Sequence, residues 1–212
     1  MKKILLLIAF AGFTIPASAQ KSKKQNKQKE QTTAQSSAES KEDLETRKAR
    51  VALAESRMMG PMHQMLVQFS GHWREEMKFW ASPKSEPTTT EALRDSRIFG
   101  EGRFLTSTIM GQMGNLPYEA QSVLGFDNAK RAFVKTWYDN TGTSILVLEG
   151  IYDEKNNTID FNGFTNDPIT KQPVKIHQVL KIIDHSTHLL EIYVEMKEGK
   201  EFKSMEVRSI RG

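Results

Sequence analysis

The chain has 212 residues, with 30 Lys or Arg, 26 Asp or Glu, no Cys and a formal net charge of +4. The lack of Cys excludes disulfides, thiol catalysis and lipid attachment at a cysteine. The basic excess lies before residue 61, and residues 61–212 carry a net charge of −2. No basic stripe with interleaved aromatics occurs in that acidic part, so we expect no nucleic-acid partner.

The N-terminus has the pattern of a secretory signal peptide. Lys2 and Lys3 precede a short apolar run over residues 4–15, and Ala17-Ser18-Ala19 follows. The run is too short to cross a bilayer and is not repeated later, so we expect no transmembrane segment. We predict a signal peptide over residues 1–19, cleavage near Ala19-Gln20, and a periplasmic or secreted product.

Two segments separate this signal from the rest of the chain. Residues 20–41 have almost no apolar side chains to offset the entropy of ordering, which predicts a disordered linker. Residues 42–70 predict a helical lead-in, broken at Gly60-Pro61. After the break, apolar residues at helical spacing predict a short amphipathic helix over residues 61–69 that packs against the following domain: Met62, Met65, Leu66 and Phe69.

From residue 71 onward the sequence is a series of short β-strands separated by loops rich in Asp, Asn and Gly. About ten strands are predicted, over residues 71–80, 88–98, 104–110, 120–124, 132–138, 144–148, 158–161, 174–183, 189–196 and 201–210. No helix long enough for a parallel crossover interrupts them. We therefore predict an all-β fold for residues 71–212, an antiparallel up-and-down β-barrel. Ten strands make a barrel wide enough for an internal cavity.

Gly71-x-Trp73, at the start of the first strand, resembles the signature of the lipocalins and other calycins. In those families the Trp lies at the closed end of the barrel and packs against an Arg of the last strand. The resemblance implies that Trp73 and Arg211 form a barrel-closing pair, with Arg208 as the second choice.

Further segments, in order along the chain, resemble the bacterial family catalogued as domain of unknown function 1579. They cover residues 99–105, 124–128, 135–139, 150–153, 184–188 and 199–206. The family is grouped with calycin-like barrels and has no agreed biochemical activity. The resemblance therefore implies a fold, from about residue 61 to the C-terminus, and leaves the function open.

The histidines provide no convincing metal or haem site. Asp184, His185 and His188 are close in sequence, but they lie in a polar hairpin loop and no third ligand is placed by the sequence. His177 alternates with lysines and should point away from an interior lined by Ile176, Gln178, Leu180 and Ile182. We expect no metal and no cofactor.

A binding site inside the barrel is the leading hypothesis, for a small and partly apolar ligand. The candidate residues are Arg103, Trp137, Tyr138, Glu191, Tyr193 and Glu206. Aromatic residues in this set could equally fill the core. Alternation along the last strand does not decide whether Glu206 or Met205 points inward.

Two alternatives remain open. The first is an enzyme, a hydrolase or isomerase, that uses carboxylate or Arg groups at the barrel mouth; its candidate carboxylates are Asp139, Asp153, Glu191, Glu195 and Glu206. The second is a structural or interaction protein with a filled barrel. The sequence does not determine the oligomeric state.

Overall fold

The structure of the protein, a computed structural model, describes residues 32–196 and 199–212. The predicted signal peptide and residues 20–31 lie outside the described residues. Helix α1 spans Thr32–Arg57, and its C-terminal part lies in the predicted helical lead-in, residues 42–70. Residues 48–212 form one compact unit.

Helix α2 spans Pro61–Gln68, which confirms the predicted amphipathic helix. Pro61 occupies the first turn, where its missing N–H is not needed. Leu66 is completely buried, and Phe69, just after the helix, is 2% exposed. Met62 and Met65 pack against the same core cluster. The apolar face of α2 thus packs against the core of the barrel.

Ten strands follow. They are β1 Gly71–Phe79, β2 Thr88–Phe99, β3 Phe104–Met113, β4 Leu116–Asp127, β5 Ala132–Asp139, β6 Leu146–Asp153, β7 Thr158–Asn166, β8 Pro173–Ile182, β9 Thr187–Glu195 and β10 Glu201–Arg211. Each pairs antiparallel with the next, and β1 also pairs with β10, so the sheet closes into a barrel. The predicted antiparallel up-and-down barrel is confirmed.

Alternation along each strand sends every second side chain into the barrel. The interior face of β1 carries Trp73, Glu75 and Met77, which are all buried. In β10 a shift of register between Lys203 and Met205 resolves the ambiguity of the sequence. After this irregularity the interior face is formed by Met205, Val207 and Ser209, and the alternate residues face outward.

The end of the barrel next to α2 is closed around Trp73. The indole Nε1 donates to the Phe69 carbonyl oxygen at 3.1 Å. Trp73 and Arg211 face each other across the closing pair of strands, and the Arg211 guanidinium carbon lies 4.2 Å from the indole centroid. Arg208, the second choice, is exposed on the outer face. The geometry at Trp73 is therefore that of a cation–π contact with Arg211.

Gly71 has a specific role at this closed end. Its φ is +112°, and a Cβ at this position would lie 2.7 Å from an Arg211 guanidinium nitrogen. That guanidinium donates to the carbonyl oxygens of Ser70 and Gln68 at 2.7 and 2.6 Å, and to that of His185 at 3.0 Å. Arg211 therefore ties the last strand to the end of α2, and only a glycine leaves room for it.

Candidate functional site: the polar cavity inside the barrel

A cavity of about 90 Å³ lies inside the barrel. Most of its lining is apolar, supplied by Phe69, Met77, Leu105, Ile109, Leu124, Trp137, Phe161, Leu180, Leu190, Met205 and Val207. A smaller number of polar side chains shares the same surface: Glu75, Arg94, Ser107, Ser122, Lys135, His188 and Ser209. An apolar lining with a few convergent polar groups is typical of small-molecule sites.

Glu75 and Arg94 form an ion pair across the neighbouring strands β1 and β2. Arg94 Nε lies 2.7 Å from Glu75 Oε1, and both side chains are at least 85% buried. Ser209, on β10, donates its hydroxyl to the same oxygen at 3.1 Å. The Arg94 guanidinium also lies 5.1 Å from the Trp73 centroid. The pair thus connects the cavity to the closed end, with its two charges compensating each other.

Lys135 is the second cation of the cavity. It lies on β5 between Phe133 and Trp137 on the interior face, and its Nζ donates to Gln178 Oε1 at 2.8 Å. Burial is the main reason that its pKa falls from 10.5 to about 8; the positive charge of Arg94 lowers it further and Glu75 partly offsets this. Among the described residues, no carboxylate lies within ion-pair distance of Nζ.

The ammonium group of Lys135 is surrounded by aromatic rings. Nζ lies 5.5 Å from the Trp137 centroid and 5.8 Å from the Phe161 centroid. Such contacts attract a cation, but they do not neutralise its charge. Lys135 is therefore held in the cavity as a positive charge with an amide oxygen and two ring faces as its partners.

His188 lies at the closed end of the same cavity and is 1% exposed. Its ring centroid is 4.5 Å from that of Trp73 and 5.0 Å from that of Phe69. Its Nε2 has no hydrogen-bond partner within the described part of the chain. Burial, followed by the positive charges of Arg94 and Arg211, lowers the pKa of His188 from 6.5 to about 4. The imidazole is therefore neutral at neutral pH.

Of the six candidate residues from the sequence, Trp137 lines the cavity. Its indole N–H donates to Asp139 Oδ2 at 3.0 Å, which fixes the ring orientation. The other five lie elsewhere, and the expectation that they line the interior requires correction.

Glu191 and Glu206 face outward. Lys203 contacts both, at 3.3 Å from Glu191 Oε1 and 2.5 Å from Glu206 Oε2, and Lys181 lies 2.7 Å from Glu191 Oε2. The physical reason is strand parity, because Leu190 occupies the interior position next to Glu191. The two carboxylates therefore belong to a network of charges on the outer surface.

Tyr138 and Tyr193 also lie outside the barrel. The Tyr138 hydroxyl donates to Gln121 Oε1 at 2.8 Å, and the Tyr193 ring stacks on His177 at 5.4 Å. Arg103 lies in the turn between β2 and β3 and donates to the Gly100 carbonyl oxygen at 3.1 Å. None of these three side chains contributes to the lining of the cavity.

Of the two histidines whose positions were predicted, one lies where we expected it and the other does not. His177 points outward as expected, between Asp160 and Glu201 at 3.0 and 2.9 Å. His188, expected in a polar loop, instead begins the interior face of β9.

Sequence reasoning missed Glu75, Arg94, Lys135 and His188 as cavity residues. A signal was present for two of them. Lys135 lies two residues from both Phe133 and Trp137, and Glu75 lies between Trp73 and Met77 in the same way. A charged residue flanked at i−2 and i+2 by large apolar residues indicates a charge on an interior face. Arg94 and His188 are not flanked in this way, so the sequence contains no such signal for them.

The sequence belongs to a known family. The profile of the family described as "Protein of unknown function (DUF1579)" matches residues 58–211, so the chain belongs to this family. No curated protein matches the sequence significantly. No helix within the described residues is long and apolar enough to span a membrane.

Solved structures share the fold. The S-type phycobiliprotein lyase CPES from Guillardia theta has a TM-score of 0.51 and 9% sequence identity, covering 75% of this chain and 96% of that one. Rv2717c from M. tuberculosis has a TM-score of 0.53 and 14% identity, covering 73% of this chain and 99% of that one. At these identities the likeness concerns the barrel fold.

Proposed function

We propose that the barrel binds a small, partly apolar ligand in its cavity. The observation that carries this proposal is the lining itself, an apolar surface into which the ammonium group of Lys135 projects. A barrel that served only as a scaffold gains nothing from a partly buried interior cation without a carboxylate partner, because the desolvation of the charge destabilises the fold. Groups that weaken a core are commonly retained for function.

The alternative of acid–base catalysis receives less support. An acid–base pair made of carboxylates, the form that the sequence suggested, requires two carboxyl groups that face one reacting centre. Among the described residues that line the cavity, Glu75 is the one carboxylate, and it is paired with Arg94. We infer also, from the N-terminal pattern, that the domain acts in the periplasm or outside the cell. N-terminal sequencing of the protein from its own source tests that point.

A titration with a neutral amphiphile tests the binding proposal. We expect 1-hexanol to cause saturable shifts of the amide resonances of cavity residues in ¹H–¹⁵N NMR spectra. Ser122 lines the cavity, whereas its neighbour Gln121 is exposed. Ser122→Leu should fill the cavity and abolish the shifts, and Gln121→Leu should preserve them.

Native mass spectrometry of the protein purified from its own source should also detect a bound small molecule. Equal binding to wild type and Ser122→Leu would place the ligand outside the cavity. The absence of both saturable shifts and a bound mass would contradict the proposal.

A further inference from the structure

The charges inside the cavity do not cancel. The titratable side chains on its lining are Glu75 on β1, Arg94 on β2, Lys135 on β5 and His188 on β9. Glu75 and Arg94 compensate each other at 2.7 Å, and His188 is neutral because its pKa is lowered to about 4. Lys135 is then left as a net single positive charge.

Two further titratable groups, Tyr118 and Asp139, lie close to residues of the cavity. Tyr118 on β4 is buried, and its pKa is raised by desolvation and by the nearby Asp139, so it remains uncharged. The Asp139 carboxylate accepts hydrogen bonds from Trp137 and Thr141, and it does not line the cavity. Asp139 therefore does not balance the charge of Lys135.

We propose that the cavity selects ligands whose polar end is a singly ionised carboxylate, which pairs with Lys135 Nζ. This inference rests on the proposed binding function and specifies its ligand class. One negative charge neutralises the cavity, whereas a doubly charged phosphate ester leaves an uncompensated negative charge in an apolar enclosure. The ammonium group has three donors, and Gln178 takes one of them, so two remain for carboxylate oxygens.

The size of the cavity limits the rest of the ligand. A volume of about 90 Å³ holds several water-sized groups, since each needs roughly 10–15 Å³. The apolar side chains around Lys135, among them Trp137, Phe161 and Leu180, require that this remainder be hydrocarbon. A short-chain monocarboxylic acid of about four to eight carbons satisfies both conditions.

The proposal predicts a characteristic pH dependence. Lys135 has a pKa of about 8 in the unliganded protein, so it is mostly charged at pH 7 and mostly neutral at pH 9.5. A carboxylate stabilises the charged form, and its binding must therefore weaken as pH rises through 8. The pKa of His188, about 4, lies outside this window. A neutral alcohol should show no such decline.

The test compares carboxylates with alcohols of equal chain length, from butanoate and 1-butanol to octanoate and 1-octanol. Dissociation constants are measured by NMR titration at pH 7 and pH 9.5. We expect the best carboxylate to bind wild type about tenfold more tightly than its alcohol at pH 7, and to lose about tenfold in affinity at pH 9.5. In Lys135→Met the preference should disappear while alcohol binding persists.

Lys78→Met is the matched control, because Lys78 is a strand lysine on the outer face of β1. It should keep the wild-type preference. Lys135→Gln serves as a second variant if Lys135→Met fails to fold. Alcohols that bind as tightly as carboxylates, or a preference that survives both Lys135 substitutions, would overturn this inference and leave the binding function intact. If neither series binds, the proposed function itself fails, and this inference with it.

Discussion

Trp73 shows how a single residue can close a barrel. It is 1% exposed, it donates a hydrogen bond to the chain just after α2, and two guanidinium groups lie within cation–π range of its ring. Gly71, two residues earlier, provides the space for Arg211. The Gly-x-Trp pattern thus has a local steric cause as well as a resemblance to support it.

Truncation of the Trp73 side chain should strongly destabilise the fold. We expect Trp73→Ala to lower the free energy of unfolding by about 3–5 kcal/mol, because it leaves a cavity and removes the stacked ring from Arg211. Urea denaturation measures the change. Trp80→Ala is the control, since Trp80 is only partly buried and lies beyond the end of β1. Equal losses in the two variants would contradict a special role for Trp73.

Among the elements of the fold, helix α2 covers one end of the barrel. Leu66 of α2, and Phe69 just after the helix, belong to the cluster that includes Leu105, Leu124 and Phe133 of the strands. Isolated helices of this length are unstable in water, so packing must supply most of the stability of α2. The helix is thus ordered by the barrel that it closes.

Adjacent residues on α2 provide a direct test of this packing. Leu66 is fully buried, whereas Val67 is 55% exposed. We expect Leu66→Asp to destabilise the domain by a few kcal/mol, because it buries a carboxylate without a partner. Val67→Asp should change stability by less than about 0.5 kcal/mol. Denaturation midpoints give both values, and an unchanged midpoint for Leu66→Asp would mean that the helix does not pack on the barrel.

For the molecule as a whole, the positive charge of Lys135 inside the barrel lowers the stability of the folded state. The pKa of Lys135 in the folded state, about 8, lies below the ordinary value of 10.5. Between about pH 8 and pH 10.5, the folded state therefore binds fewer protons than the unfolded state. The stability of the unliganded protein should therefore rise with pH across this window, and the penalty is fully present below it.

Lys135→Met should remove this penalty. We expect the unliganded variant to be more stable than wild type at pH 7 by about 1–3 kcal/mol. The advantage should shrink as pH rises from 8 to 10.5, because the wild-type lysine becomes neutral there. Urea denaturation at pH 7 and pH 10 measures the difference, with Lys78→Met as the control. A variant less stable than wild type at both pH values would show that Lys135 contributes to folding.

Most of the architecture was predictable from local patterns. Strand β8 alternates clearly, with Ile176, Leu180 and Ile182 on one face and Lys175, His177 and Lys181 on the other. The loops between strands contain the residues that turns prefer, so element type and order followed from near neighbours in the chain. The face of β10 was not predictable, because the register shift between Lys203 and Met205 interrupts its alternation. This is why Glu206 was a cavity candidate although it lies outside.

Local sequence patterns were sufficient to predict the antiparallel barrel and the helix that packs on it, whereas the partner expected for Trp73 came from the resemblance to the calycins. The barrel and the helix were predictable because they depend on hydrophobic periodicity and on turn residues that are close together in the chain. The same patterns do not show which side chains meet inside the cavity. Glu75 meets Ser209, and Lys135 meets Gln178, because closure and register bring distant strands together. Such contacts are properties of the closed sheet, and the net charge of the interior emerges only when all ten strands are in place.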